Sequence, residues 1–94
     1  KYEMFEVGSQ LRRSAKSMSA NIVEGYGRRR YKAEFIRFLI FAQASCDESI
    51  EWIGYIKDCH KTCCADAEMI LRALDLLGRQ INRFIQAVEK SHRV

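Results

Sequence analysis

No proline occurs anywhere in this chain of 94 residues, and glycine occurs only five times. Proline breaks helices and favours turns. Its absence removes proline-rich, collagen-like and low-complexity readings, and it weakens any all-β reading that needs many tight turns. Long helices are the remaining default. Apolar residues make up 48% of the chain and charged residues 30%, a balance wrong for intrinsic disorder. The longest stretch without a charge, Phe38 to Cys46, is far too short to cross a bilayer, so one soluble domain is expected.

The apolar spacing predicts three helices. From Ser9 to Glu24, residues Leu11, Ala15, Met18 and Ile22 alternate steps of four and three, with Ser9 as the expected N-cap. Gly25 and Gly27 are expected to stop this helix through the left-handed conformation, leaving a break over Gly25 to Tyr31. The second helix is expected from Lys32 to His60, with Phe35, Leu39, Ala42, Cys46, Ser49, Ile53 and Ile56 on one stripe. After a loop over Lys61 to Ala65, a third helix carries Ala67, Ile70, Leu71, Leu74, Leu77, Ile81, Phe84, Ile85 and Val88. Gly54 and Gly78 sit inside helices at a cost of about 1 kcal/mol each, and each is expected to mark a close helix contact. Short loops make sequential helices antiparallel neighbours, so the expected fold class is all-α, an up-down antiparallel helical bundle.

One segment is too greasy for three helices. Ile36, Phe38, Ile40 and Phe41 surround the main stripe, leaving only Arg37 polar between Phe35 and Ala42, and such a stretch needs cover on more than one side. The chain also opens on Lys1 without a methionine or a signal sequence. Both features lead to the expectation of a single bundle domain over residues 1–94 that lacks its N-terminal helix, or of a neighbouring subunit as cover.

The charge is lopsided. Residues 1–32 hold eight cations and three carboxylates, a net +5, whereas residues 33–94 hold eight and nine, a net −1. Arg12, Arg13 and Lys16 lie together on the first helix, and Arg28, Arg29, Arg30 and Lys32 follow it, interleaved with Tyr26 and Tyr31. Such a cluster neutralises phosphates and offers rings for base stacking, giving salt-dependent and largely sequence-independent binding to nucleic acid. The plainer alternative is a solvated face, because the overall +4 is modest.

Asn21 and Glu24 fall in the expected last turn of the first helix, where the helix dipole disfavours a carboxylate. Arg28 is the natural partner for Glu24, and Asn21 is placed to bond a free carbonyl. Asn21 and Glu24, with Arg28, therefore read as a structural clasp that fixes the turn at Gly25 and Gly27, with a ligand or catalytic carboxylate as the competing reading. Gly25-Tyr26-Gly27-Arg28 follows a helix and lacks a preceding strand, so it is not a standard phosphate-cradling loop.

Cys59, His60, Cys63 and Cys64 form one crowded group, whereas structural zinc sites usually pair two spaced ligand couples. Free thiols are expected there, no metal or cofactor is assigned, and Cys46 on the apolar stripe is read as core. Neither His60 nor His92 has a nucleophile and orienting carboxylate at a triad-like spacing, and Glu34, Glu48 and Glu51 read as helix surface or inter-helix pairing. The only Glu-x-x-His, Glu89 to His92, is unrepeated. No catalytic residues are assigned and no enzyme is expected.

The stretches Leu11 to Ala15, Asn21 to Arg28, Glu34 to Leu39 and Ala42 to Glu48 together resemble the four-helix bundle proteins encoded in bacterial 23S ribosomal RNA intervening sequences. The resemblance is strongest over residues 9–48; the third helix agrees in periodicity alone. It implies a bundle of four antiparallel helices that assembles as a ring of five, with an additional helix before the point where this chain starts. A related branch, the accessory variability determinant of diversity-generating retroelements, binds nucleic acid and a reverse transcriptase. By the same resemblance Asn21, Glu24, Gly25, Gly27 and Arg28 belong to the turn, and Phe35, Phe38 and Leu39 to the core. Ala44 and Cys46 depart from the family's glycine and leucine, and Met18-Ser19 from its frequent isoleucine-proline. No catalytic activity comes with the family.

The expectation is a non-enzymatic, cytoplasmic, homo-oligomeric bundle that binds structured RNA or DNA through Arg12, Arg13, Lys16, Arg28, Arg29, Arg30 and Lys32. The alternative is a protein-interaction scaffold, for example for a reverse transcriptase or a ribosomal partner, without direct nucleic-acid contact.

Overall fold

The structure, a computed structural model, describes residues 2–59 and 64–91. It holds three helices, α1 (Tyr2–Gly27), α2 (Lys32–Cys59) and α3 (Cys64–Ser91), and no strand among the described residues. The all-α class stands, with three helices among the described residues. No helix among the described residues is long and apolar enough to cross a membrane.

The first helix is longer at both ends than its spacing predicts. Ser9 is not an N-cap but an interior residue, because the inner stripe continues back to Val7, four residues before Leu11, and Val7 is buried. Packing of that extra turn outweighs the roughly 1 kcal/mol cost of Gly8, around which a side chain would find open space. The buried face is also rotated from the expected one: Ser14 and Met18 are buried while Ala15 is exposed.

The expected break at Gly25 is corrected as well. Gly25 and Gly27 are both helical, and neither takes a positive φ. Gly25 is buried where α1 and α2 meet, and a Cβ there would stand 3.1 Å from Phe38 Cβ and 3.4 Å from the Phe35 carbonyl oxygen. The glycine serves close approach and does not end the helix. The turn is confined to residues 28–31: Arg28 N–H donates to the Glu24 and Gly25 carbonyls, Arg29 N–H to Tyr26, and Tyr31 N–H to Arg28 at 2.8 Å. The Tyr31 carbonyl then accepts the Phe35 N–H at 3.0 Å and opens α2.

Paired residues run in opposite order along neighbouring helices, which makes them antiparallel. Ser14 meets Ser49, Ser17 meets Ser45 and Gly25 meets Phe38. On the other side Lys32 meets Glu89, Phe35 meets Phe84, Cys46 meets Leu74 and Lys57 meets Glu68. Helix α2 therefore lies between the other two. Among the described residues no Cα of α1 comes within 8 Å of a Cα of α3.

The core is Met18 of α1, Phe35, Leu39, Ala42 and Cys46 of α2, and Ile81 and Ile85 of α3, flanked by Ile22, Ile36, Ile50, Leu74, Leu77 and Val88. Gly78 admits the Cys46 sulfur, which would lie 3.6 Å from a Cβ placed there, and the thiol donates to the Leu74 carbonyl. Gly54 does not mark a close contact, since nothing lies within 4 Å of the same position. The α1–α2 contact is unexpectedly polar. Ser14 and Ser49 hydroxyls sit 2.8 Å apart, Ser45 donates to Ser17 at 2.9 Å, and Ser14 and Ser49 also reach the Leu11 and Ser45 carbonyls. These buried hydroxyls are all satisfied, so they set register at no desolvation penalty.

Helix α3 begins earlier than expected, at Cys64, with Ala65 and Asp66 already in its first turn. His60, Lys61, Cys63 and His92 lie outside the described residues.

Candidate nucleic-acid interface

The seven cations singled out in the sequence fall into two structural groups. Arg28 follows α1 and turns back on it, its Nε donating to Glu24 at 2.7 Å and its Nη1 to Glu34 at 3.3 Å. Arg37, one turn along α2, binds the same Glu34 carboxylate at 3.2 Å. Both guanidiniums lie over the Phe38 ring, at 5.1 and 4.9 Å from its centroid, and Arg37 also covers Phe41 at 5.3 Å. The hydrogen bond from Arg37 and the charge of Arg28 hold the Glu34 carboxyl below its ordinary value, and the bond to Glu24 holds the Arg28 guanidinium above its own. Exposed pairs of this kind add little stability individually. Their effect is geometric: they orient the turn across the α1–α2 junction.

Asn21 takes no part in that clasp. Its amide donates to the Ser17 carbonyl at 2.8 Å and the Ser17 hydroxyl at 3.1 Å, because α1 continues past it and leaves no free carbonyl within its reach. The expected Asn21 contact is therefore corrected, and the clasp is Glu24, Arg28 and Glu34. Lys32 is also committed, its ammonium capping α3 through the Glu89 carbonyl at 2.6 Å.

The remaining cations face solvent. Arg29 donates to the Tyr26 carbonyl at 2.9 Å and stacks on the Tyr26 ring at 3.9 Å, while Arg30 and Tyr31 are exposed beside it. Arg12, Arg13 and Lys16 are exposed on α1, and no carboxylate pairs with them or with Arg30 among the described residues. No Asp or Glu occurs from residue 7 to residue 23, so nothing along that part of α1 repels an anion. The structure thus separates the one basic cluster of the sequence into a first group, Arg12, Arg13 and Lys16, and a second, Arg29 and Arg30, with Arg28 and Lys32 used internally. Sequence spacing signalled the Arg28–Glu24 pair but not the commitment of Lys32, whose partner is 57 positions away.

Glu48 and Glu51 are exposed; with Trp52, Gly54, Tyr55 and Asp58 they line an open hollow of about 640 Å³ on α2 that the sequence did not single out. Trp52 Nε1 donates to Glu48 there at 3.3 Å. Among the described residues no three His, Cys, Asp or Glu side chains converge to hold a metal. Cys46, Cys59 and Cys64 are free, and burial pushes the Cys46 thiol above its ordinary value.

Residues 1–83 match a protein-family model, that of the 23S rRNA-intervening sequence protein. No curated protein matches the chain, and no solved structure matches it.

Proposed function

Because the chain belongs to the 23S rRNA-intervening sequence protein family, we propose that it is a non-enzymatic helical protein that binds structured RNA or DNA through the basic surface of α1 and the following turn. The observation that supports this reading is the set of exposed cations that have no carboxylate partner among the described residues, Arg12, Arg13, Lys16 and Arg30, beside Arg29 and two exposed tyrosines. In keeping with the family resemblance, the reading includes a cytoplasmic homo-oligomer, a ring of five. The separation of the α1 and α3 backbones, together with exposed Ile70, Leu76 and Phe84 on α3, is consistent with further apolar cover.

A salt titration tests the reading. Binding to an RNA or DNA hairpin at ~50 mM salt is expected to weaken steeply as salt rises and to fall with Arg13→Glu plus Arg30→Glu; no binding, or indifference to both changes, refutes it. Arg28 is unsuited to this test, because reversing it also breaks the clasp with Glu24 and Glu34.

A second reading has its own observation. Ile40 and Phe41 on α2 and Met69 on α3 are 48%, 41% and 64% exposed, apolar surface suited to a protein partner. A nuclease-resistant pull-down of a reverse transcriptase or ribosomal protein, lost in Phe41→Asp, would favour a scaffold over direct nucleic-acid binding.

A further inference from the structure

The two groups of available cations are joined by one continuous helix, which fixes their separation. Gly27, the last residue of α1, lies eleven positions beyond Lys16, about 17 Å along a straight helix at 1.5 Å per residue, and Arg29 and Arg30 follow at once. Arg12, Lys16, Ala20, Val23 and Gly27 succeed one another at steps of three and four, and all are exposed, so one outward face of α1 runs from the first group to the second. Between Lys16 and Tyr26 there is no cation and no aromatic residue; the one carboxylate, Glu24, is bound by Arg28.

This charge pattern, two basic ends and a smooth neutral middle, distinguishes between forms of nucleic acid. A protein that tracks a single strand carries cations and stacking rings along the whole path of the backbone. A duplex instead offers phosphates along two edges of an open groove. In B-form DNA the major groove is about 12 Å wide, and half a phosphate group on either side brings the two rows of charge to roughly 18 Å apart, while in A-form RNA the open face is the wide, shallow minor groove. On the reading that this surface binds nucleic acid, we propose that the outer face of α1 straddles one groove of a double-stranded stem, with Arg12, Arg13 and Lys16 on one phosphate edge and Arg29 and Arg30 on the other. The small exposed side chains Ser19 and Ala20 let the helix lie close over the groove. The contacts are to phosphates, so the protein recognises the form of the stem and not its base sequence.

The test is fluorescence anisotropy of the full chain at ~50 mM salt against three probes, each made as RNA and as DNA. The probes are a hairpin with a stem of ~16 base pairs, a hairpin with a stem of ~4 base pairs, under ~14 Å long, and an unstructured single strand. Two charge-reversed variants are compared, Arg12→Glu/Arg13→Glu/Lys16→Glu and Arg29→Glu/Arg30→Glu. Glutamine versions serve if circular dichroism shows a reversed variant to have lost helicity. The long stem is expected to bind about tenfold or more tighter than either other probe, and each variant to weaken it about tenfold or more with a shallower salt slope. On the short stem, reversing the second group after the first is expected to add nothing. The polymer that binds more tightly identifies the stem as RNA-like or DNA-like. A single strand bound as tightly as the long stem, or one group whose reversal leaves the long stem unaffected, overturns the two-edge footprint while leaving nucleic-acid binding intact. Failure of every probe to bind removes both.

Discussion

Gly25 of α1 and Phe38 of α2 lie so close that a Cβ on the glycine would stand 3.1 Å from the Cβ of Phe38. The Phe35 carbonyl oxygen, at 3.4 Å, is also fixed within α2, so the helices themselves must part to admit a methyl group. Gly25→Ala gains helix propensity but is expected to cost about 1–2 kcal/mol overall through overpacking. Gly54→Ala meets nothing within 4 Å and is expected to stabilise by about 0.5–1 kcal/mol. Thermal melts check the pair: the two substitutions should move Tm in opposite directions, by roughly 4–8 °C per kcal/mol for a chain of this size.

The Ser14–Ser49 contact is one of three that share two hydroxyl protons, since Ser14 also reaches the Leu11 carbonyl and Ser49 the Ser45 carbonyl. Removing one hydroxyl leaves the other in a buried polar niche. Ser14→Ala and Ser49→Ala are each expected to cost about 1–2 kcal/mol, and the double substitution less than their sum. Urea denaturation of the four-member cycle checks this; strict additivity would mean that the two hydroxyls are not coupled.

The clasp makes stability depend on acid. The folded Glu34 carboxyl titrates below its ordinary value of 4.5, through Arg37 first and Arg28 as well, and Glu68 does the same through Lys57 and Arg72. A depressed carboxylate pKa contributes stability that is complete above the unfolded value and is lost as pH falls through the folded one. Glu34→Gln and Glu68→Gln should therefore narrow the Tm difference between pH 7 and pH 3. A wild-type difference retained in both variants would count against these pairings.

Lys32 and Arg30 are neighbours in the sequence with different roles. Lys32→Ala removes the cap on Glu89 and is expected to speed amide exchange in the last turn of α3 while changing hairpin affinity less than Arg30→Ala does. Hydrogen exchange and anisotropy on the same two variants check both halves of the statement.

Cys46 is fully buried against α3 and its thiol is pushed above the ordinary value of 9.0 mainly by desolvation, whereas Cys59 is exposed. Thiolate is the reactive form. Iodoacetamide at neutral pH should modify Cys59 well before Cys46, as read by peptide mass spectrometry; similar rates would place Cys46 outside the core.

Most of the inner face was legible in the residues alone. Phe35, Leu39, Ala42, Cys46 and Ile53 repeat at three and four and are all buried, because a helix that packs on one side must repeat its apolar residues at its own period. The ends of α1 were not legible. Ser9 and Gly25 carry local signals for a start and a stop, and both signals were outweighed by contacts with α2 from residues that the helix itself does not contain. The serine pairs were missed for a similar reason, since Ser14 and Ser45 read as ordinary polar positions until the two helices bring them to Ser49 and Ser17.

The candidate interface divides along the same line. Composition and order determined that the basic excess lies in residues 1–32, and periodicity determined three helices, because both depend only on which residues follow one another. Which cations remain free was decided by the tertiary structure. Arg28, in the turn, is consumed by a carboxylate of α1 and another of α2, and Lys32 by a carbonyl of α3; a cation's availability depends on which acceptors folding brings within hydrogen-bonding distance of it.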